Sequence, residues 1–282
     1  MKRRVVDPIE AALREDLGEG DLTTDFFIAK HQQASARILA RERAVLAGTE
    51  TAAEVFRRVD PSLRITILRK DGTEINSGDS VIETRGASRS ILKAERVALN
   101  FLQRLSGIAT MTSKFVEAAG NEHVKILDTR KTTPGLRALE KAAVVAGGGM
   151  NHRFGLFDMV MLKDNHLATA ARFESFAESL REFRAARPKI QVEVEADNLE
   201  QVRAILEMDG VDVILLDNMK PAQIREAIAL GKNKVKFEAS GGVTLKNIRQ
   251  IAATGVDYIS IGALTHSPRA IDFSLELTAI ER

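Results

Sequence analysis

The run IQVEVEADNLEQVRAILEMDGVDVILLDN, residues 190–218, decides the fold. It begins and ends in short apolar runs rich in Val, Ile and Leu, and each run stops at polar residues. Between them, NLEQVRAILEM (198–208) carries apolar residues near helical spacing, with Asn198 as a start signal and Gly210 as a stop. Strand, helix and strand at this spacing form a parallel βα unit.

The same unit recurs on both sides. The apolar runs are KILDT (125–129), DMVMLKD (158–164), IQVEVEA (190–196), VDVILLDN (211–218), VKFEASGG (235–242) and VDYISIGA (256–263). Further helical patterns cover 173–187, 221–230 and 244–254, opened by Lys220–Pro221 and Thr244 and closed by Gly231 and Gly255. An open doubly wound sheet and a closed barrel share this rhythm. The run ends favour the barrel: Asp128, Lys163, Glu195, Asp217, Ser240 and Gly262 each stand at or just past the C-terminal end of a different run. In a βα barrel those ends converge on one mouth, where catalytic residues gather. The last two runs end in SGG and IGA, small residues whose backbone N–H groups can approach a phosphate.

The first 120 residues read differently. ASARILARERAVLAG (34–48), LRITILRKDGTEI (63–75) and SVIETRG (80–86) look like strands, with Asp71–Gly72 as a hairpin turn. Residues 6–17, 49–59 and 91–119 look helical. The expected architecture is α/β: an N-terminal α+β sandwich domain over 1–112, an incomplete α/β barrel of six or seven strands over 113–270, and a segment 271–282 packing back on the first domain.

Composition narrows the function. The 282 residues are 44% hydrophobic and 28% charged, with a formal net charge of +2, an ordinary globular balance that gives no reason to expect a nucleic-acid surface. There is no cysteine, hence no disulfide, thiolate nucleophile or cysteine zinc site, which fits a cytoplasmic protein. The N-terminus is basic but lacks the apolar run of a signal peptide, and no apolar stretch is long enough to cross a bilayer, so no membrane partner is expected. Cations instead concentrate in 128–166, where Arg130, Lys131, His152, Arg153 and Lys163 sit beside Pro134–Gly135 and Gly147–Gly148–Gly149. Cations gathered at chain breaks suit a small polyanion such as a dicarboxylate or phosphate ester.

LDTRKTTPGLRALEK, GGGMNHRFGLFDMVMLKDNH, VEVEA, LLDN, EASGG and ISIGALTHS, together with EDLGEGDLTTD and ERVALNFLQRLSGIAT, resemble the quinolinate phosphoribosyltransferase family over roughly residues 8–275. The resemblance implies decarboxylating transfer of phosphoribose from phosphoribosyl pyrophosphate to quinolinate, giving nicotinate mononucleotide, pyrophosphate and CO2 in NAD biosynthesis. It also implies a homodimer or higher homo-oligomer with shared sites, and Mg²⁺ accompanying the phosphoribosyl donor, with no organic cofactor. By the same resemblance Arg96, Arg130, His152, Arg153 and Lys163 bind quinolinate, and Lys131 and Lys163 stand between it and the pyrophosphate. Glu195 and Asp217 serve the ribose side, with a weaker role toward the metal. Ser240, Gly241, Gly242, Gly262, Ala263 and His266 hold the 5′-phosphate. Where the family usually reads EKYAVRCGGG this chain has Ala142, Val145 and Ala146, a departure expected beside the site. Glu193, alternating with Glu195, is expected on the other side of the strand and is left out.

Other readings fit parts of the pattern. On its own, Arg96 reads as an exposed helix arginine paired with a nearby Glu. From chemistry alone, Lys163 could be a Schiff-base lysine on a barrel strand. A related phosphoribosyltransferase, of the nicotinate or molybdate-transport-associated type, or a non-catalytic ligand-binding homologue, would keep the same fold.

Overall fold

The computed structural model describes residues 7–163, 173–231 and 234–280. The chain divides into two packed units. The first comprises Met1–Ser113, Thr132–Gly148 and Leu264–Arg282; the second comprises Lys114–Lys131 and Gly149–Ala263.

In the first unit, helix α1 (Pro8–Leu17) starts where proline and an acidic cap direct it: Asp7 accepts from the N–H groups of Ile9 and Glu10. A short α2 follows (Leu22–Phe27), capped by Asp21. Strands β1 (Gln33–Ala40), β3 (Arg64–Ile67), β5 (Ser80–Ala87) and β12 (Phe273–Ile280) form an antiparallel sheet in the order β12-β1-β5-β3. β1 buries Ala34, Ala36, Ile38 and Ala40, every second residue, so one face of the sheet enters the core. Phe56 and Val55 of α3 (Thr49–Val59) and Ile91, Ala94, Ala98 and Leu102 of the long α4 (Ser88–Ala119) belong to the same core. β12 pairs with β1 along its whole length.

The Asp71–Gly72 turn forms, but not as a hairpin. β3 pairs with β5, whereas β4 (Glu74–Ile75) pairs with β2 (Ala44–Val45). The Asp71 side chain has another use: its carboxylate accepts from Gly48 N, Thr49 N and Thr49 Oγ1 at 2.8, 3.0 and 2.7 Å. It therefore caps α3, whose own N-cap, Gly48, has no side chain to do so. Helix α5 (Arg137–Ala146) also belongs to this unit, and its buried Glu140 accepts from Arg104 of α4 at 2.9 Å.

The second unit answers the question the sequence left open. β6 (Lys125–Leu127), β7 (Val160–Leu162), β8 (Val192–Ala196), β9 (Val213–Asp217), β10 (Lys236–Ser240) and β11 (Tyr258–Ser260) make one parallel sheet ordered β6-β11-β10-β9-β8-β7. From β7 onward each strand lies beside its predecessor, and the last returns to the first. A doubly wound sheet would reverse direction from its middle; a cyclic order is that of a barrel. Among the described residues β6 and β7 do not pair. The seam beside β6 instead carries Met150, which forms a single parallel bridge to Leu127. The expectation of an incomplete barrel of six or seven strands is met by six strands and this one-residue seventh stave.

Helices α6 (Phe173–Ala186), α7 (Leu199–Leu206), α8 (Pro221–Gly231) and α9 (Ile248–Ala252) connect the later strands. Asn198 caps α7 through Gln201 N at 3.0 Å, as its position predicts. Helix α9 starts later than Thr244. That residue's N–H donates to Asn247 Oδ1 at 2.7 Å, closing a turn ahead of α9.

Candidate active site

Strand register decides which side chains share the barrel interior. A cavity of about 300 Å³ is lined by Leu127, Glu193, Val213, Glu238 and Tyr258 from the strands, Met159 and Gln191 just ahead of β7 and β8, and His152 and Arg153 from the seam. Side chains two apart on a strand point the same way. Stepping two residues on from Glu193 and Glu238, and four from Met159 and Val213, brings Glu195, Ser240, Lys163 and Asp217 onto the same interior side, at the C-terminal ends of the strands. The ion pair between Lys163 Nζ and Glu195 Oε2 confirms that two of these ends meet.

The expectation for Glu193 is therefore corrected. Residues 193 and 195 differ by two and share a face, so Glu193 lies inside the barrel, 1% exposed, one layer below Glu195. Glu238 stands in the same way below Ser240 and is 2% exposed. Both were legible in principle, because the period-two rule that picks Glu195 and Ser240 also picks them.

The cation group rests on the seam segment. Met150 N donates to Ile126 O at 2.8 Å, Asp128 N to Met150 O at 3.1 Å, and His152 N to Asp128 Oδ1 at 2.8 Å. Asp128 is fully buried, so the first strand-end carboxylate serves to fix the chain before Arg153. Arg153 is half-buried. Burial, and then the like charge of Arg130, pull its guanidinium below the ordinary arginine value. Two guanidinium groups close enough to disfavour one another form a natural anion clamp, because an anion between them removes the repulsion. Lys131 is exposed; its N–H donates to Thr129 Oγ1 at 3.1 Å. Asp164, Asn165 and His166, which complete the KDNH motif, lie outside the described residues.

At the ends of β8 and β9, Glu195, Asp197 and Asp217 place carboxylate oxygens within 4.8 Å of one another. Asp197 was not anticipated. This donor set suits a hard divalent cation, which takes one or two protein carboxylates and leaves other positions to water or phosphate. Next to it, Asn218 is the one non-glycine residue with positive φ among the described residues, at 54°. Its N–H donates to Ser240 O at 2.8 Å and its Nδ2 to Asp217 Oδ2 at 2.8 Å. A Cβ on Gly241, where φ is +88°, would fall 2.2 Å from Asn218 Oδ1. Glycine at 241 thus lets the loop after β10 lie against the loop after β9. Gly262 and Ala263 follow β11 at the same end of the barrel.

Two expected residues belong to the first unit. Arg96 is exposed on α4. His266 closes the short α10 (Ala263–His266) and its Nδ1 lies 2.6 Å from Ser267 Oγ. Ala142 and Val145 are on the exposed side of α5.

The model of the quinolinate phosphoribosyl transferase C-terminal domain matches residues 108–276, and that of the N-terminal domain matches 21–106. The chain belongs to the quinolinate phosphoribosyl transferase family. The probable nicotinate-nucleotide pyrophosphorylase [carboxylating] of Bacillus subtilis is 43% identical over 264 residues, 94% of this chain and 90% of that protein. The chloroplastic nicotinate-nucleotide pyrophosphorylase [carboxylating] of Arabidopsis thaliana is 42% identical over 285 residues, covering 95% and 81% of the two chains. The crystal structure of NadC from Streptococcus pyogenes superposes with a TM-score of 0.91 at 44% identity, covering 97% and 96%. Family membership therefore extends across both units, and the barrel-mouth residues read from the sequence lie on the elements just described. Among the described residues, no helix is long and apolar enough to cross a membrane.

Proposed function

We propose that this chain is a cytoplasmic pentosyltransferase of NAD biosynthesis. It moves phosphoribose from phosphoribosyl pyrophosphate to quinolinate with loss of CO2, giving nicotinate mononucleotide and pyrophosphate. The observation that supports this reading is that a cationic group and a carboxylate group both stand on the C-terminal side of one barrel sheet. Arg130 lies close enough to Arg153 to disfavour its charge, Glu195, Asp197 and Asp217 form a carboxylate group, and Lys163 pairs with Glu195.

Each group suits one substrate. Guanidinium forks take carboxylates bidentately, so Arg130 and Arg153, with Arg96 assigned by resemblance, hold the two carboxylates of quinolinate, and His152 serves the same end of the site. Lys131 and Lys163 offer compact charges for pyrophosphate. Glu195 and Asp217 face the ribose, where positive charge builds as the bond to pyrophosphate breaks. Backbone N–H groups of Ser240, Gly241, Gly242, Gly262 and Ala263, with His266, hold the 5′-phosphate. Glu195 and Asp217, joined by Asp197, would also hold Mg²⁺, whose charge offsets that of the leaving pyrophosphate. Once the ring nitrogen carries ribose, its positive charge stabilises the carbanion that loss of CO2 leaves on the adjacent carbon, and that carbon then takes up a proton to give nicotinate mononucleotide, so decarboxylation relies on positioning of the ring more than on a dedicated side-chain acid.

Labelled CO2 should be released from carboxyl-labelled quinolinate only when phosphoribosyl pyrophosphate is present. A site with two carboxylate clamps should also discriminate against nicotinate, which lacks the 2-carboxylate. The kcat/KM for nicotinate should fall far below that for quinolinate, and equal values would overturn the assignment.

The resemblance further supports a homodimer in which Arg96 serves the partner's site. Inactive Arg96→Ala chains mixed with inactive Lys163→Ala chains should then regain activity. With random exchange half the chains enter mixed dimers, each with one intact site, so recovery should approach about a quarter of wild type under two-fold symmetry. No recovery despite demonstrated subunit exchange would place Arg96 in its own subunit's service.

A further inference from the structure

The barrel holds a buried acid cluster that the reaction as described does not use. His152 Nε2 lies 3.0 Å from Glu193 Oε2 and 3.4 Å from Glu238 Oε2, with all three side chains buried. Both carboxylate oxygens of Glu193 and Oε1 of Glu238 are buried without a hydrogen-bond partner, so Glu193 faces Nε2 as a neighbouring carboxylate and not through a formed hydrogen bond. Two carboxylates and an imidazole within 4.8 Å of one another would ordinarily invite a metal. The other side of the ring argues against one. The Arg153 N–H donates to His152 Nδ1 at 2.7 Å, so Nδ1 keeps its lone pair and the ring proton sits on Nε2. A protonated Nε2 has no lone pair to give a metal; it can only donate, and the two glutamates are what it faces.

Burial disfavours charge on His152, but the facing carboxylates of Glu193 and Glu238 outweigh it and shift its pKa upward. A fully charged ring would need a second proton on Nδ1, directly opposed to the Arg153 N–H. The hydrogen-bond geometry therefore decides the state, a ring protonated on Nε2 alone. Burial, and then the charge of Glu238, raise the pKa of Glu193, which lowers the net charge the cluster must carry.

We propose that Glu193 and Glu238 are positioning residues that act through His152. By facing its Nε2 edge with their carboxylates at 3.0 and 3.4 Å they favour the ring tautomer with the proton on Nε2, and Nδ1 then pins the Arg153 backbone N–H and with it the direction of the Arg153 guanidinium. His152 N is itself held by Asp128, so the segment entering Arg153 is fixed from two sides. Both ring nitrogens of His152 are thereby engaged inside the barrel, and its part in quinolinate binding is to aim Arg153 rather than to donate to the substrate. This rests on the reading that Arg153 holds a quinolinate carboxylate.

The first test needs no variant. In protein with ¹⁵N-labelled histidine, long-range ¹H–¹⁵N correlation should show His152 as the Nε2–H tautomer near neutral pH; an Nδ1–H tautomer or a doubly protonated ring overturns the proposal even if the protein never turns over quinolinate. The second compares Glu193→Leu/Glu238→Leu with Glu193→Gln/Glu238→Gln. The leucine pair keeps the volume but removes the acceptors, and should raise the KM for quinolinate by roughly tenfold or more, as expected for a misplaced binding group. The KM for phosphoribosyl pyrophosphate should stay within about twofold, since that substrate is assigned to Glu195, Asp217 and the phosphate loops and not to Arg153. The glutamine pair retains a carbonyl acceptor on each side and should behave nearly as wild type. A leucine pair with unchanged quinolinate KM, equal increases for both substrates, or one tightly held Zn²⁺ or Mn²⁺ per chain that the leucine pair loses, would each overturn it. Wild-type protein inactive toward quinolinate would instead count against the proposed function and leave the tautomer result standing.

Discussion

Replacing Glu195 or Asp217 with alanine is expected to lower kcat by about 10²-fold or more, with a smaller change in KM for either substrate. Removing one preorganised electrostatic group typically costs that much when charge develops only in the transition state. Glu195 is 9% exposed and paired with Lys163, so its loss also leaves that ammonium without its carboxylate. Asp217 is held by Asn218 Nδ2 at 2.8 Å, so its oxygen is fixed before substrate arrives. Steady-state kinetics on the two single variants, with urea unfolding to show intact structure, make the measurement. Unchanged kcat in both would mean that the ribose-side charge is stabilised by other groups, with Asp197 the next to test.

Gly107→Ala is expected to destabilise the protein although alanine is the better helix former. Propensity alone would favour alanine in the interior of α4 by about 1 kcal/mol. The added Cβ, however, would lie 2.1 Å from Arg269 O and 3.1 Å from its carbonyl carbon, backbone atoms that no rotamer change can move. Overpacking of this kind costs about 1–3 kcal/mol and occasionally more, so the contact outweighs the propensity. Gly107→Val should be worse, having more bulk and a β-branch. Asn100→Ala, exposed on the same helix, should be neutral or slightly stabilising. Urea midpoints with constant m-values would show this order. Equal stability of Gly107→Ala and wild type would mean that the segment around Arg269 yields without cost.

The C-terminal half announced itself because parallel βα units write their period directly into the chain. Apolar runs buried on both faces alternate with amphipathic helices, and start and stop residues such as Asn198 and Gly210 mark local events a sequence can carry. The strand-end residues were legible for the same reason, since Lys163, Glu195, Asp217 and Ser240 follow from where each run stops. Their assignment to particular substrates came from the family resemblance, as periodicity carries no chemistry.

What local pattern could not supply was pairing and depth. Doubly wound and barrel sheets have the same period, and only the cyclic strand order separated them. Asp71–Gly72 reads as a hairpin from its dipeptide, yet the flanking strands pair elsewhere because the Asp71 carboxylate is drawn to the uncapped start of α3. The roles of Asp128 and Asn218 depend on partners 24 residues away and on an adjacent strand end, contacts that no window along the chain contains. Glu193 is the instructive case. The sequence by itself determined that Glu193 and Glu195 share a face, since a strand repeats every two residues. Only the tertiary structure decided that this face turns inward, and that one glutamate meets a lysine at the mouth while the other meets a histidine one layer below. Burial and partners are properties of the closed barrel, set by contacts among residues far apart in the chain.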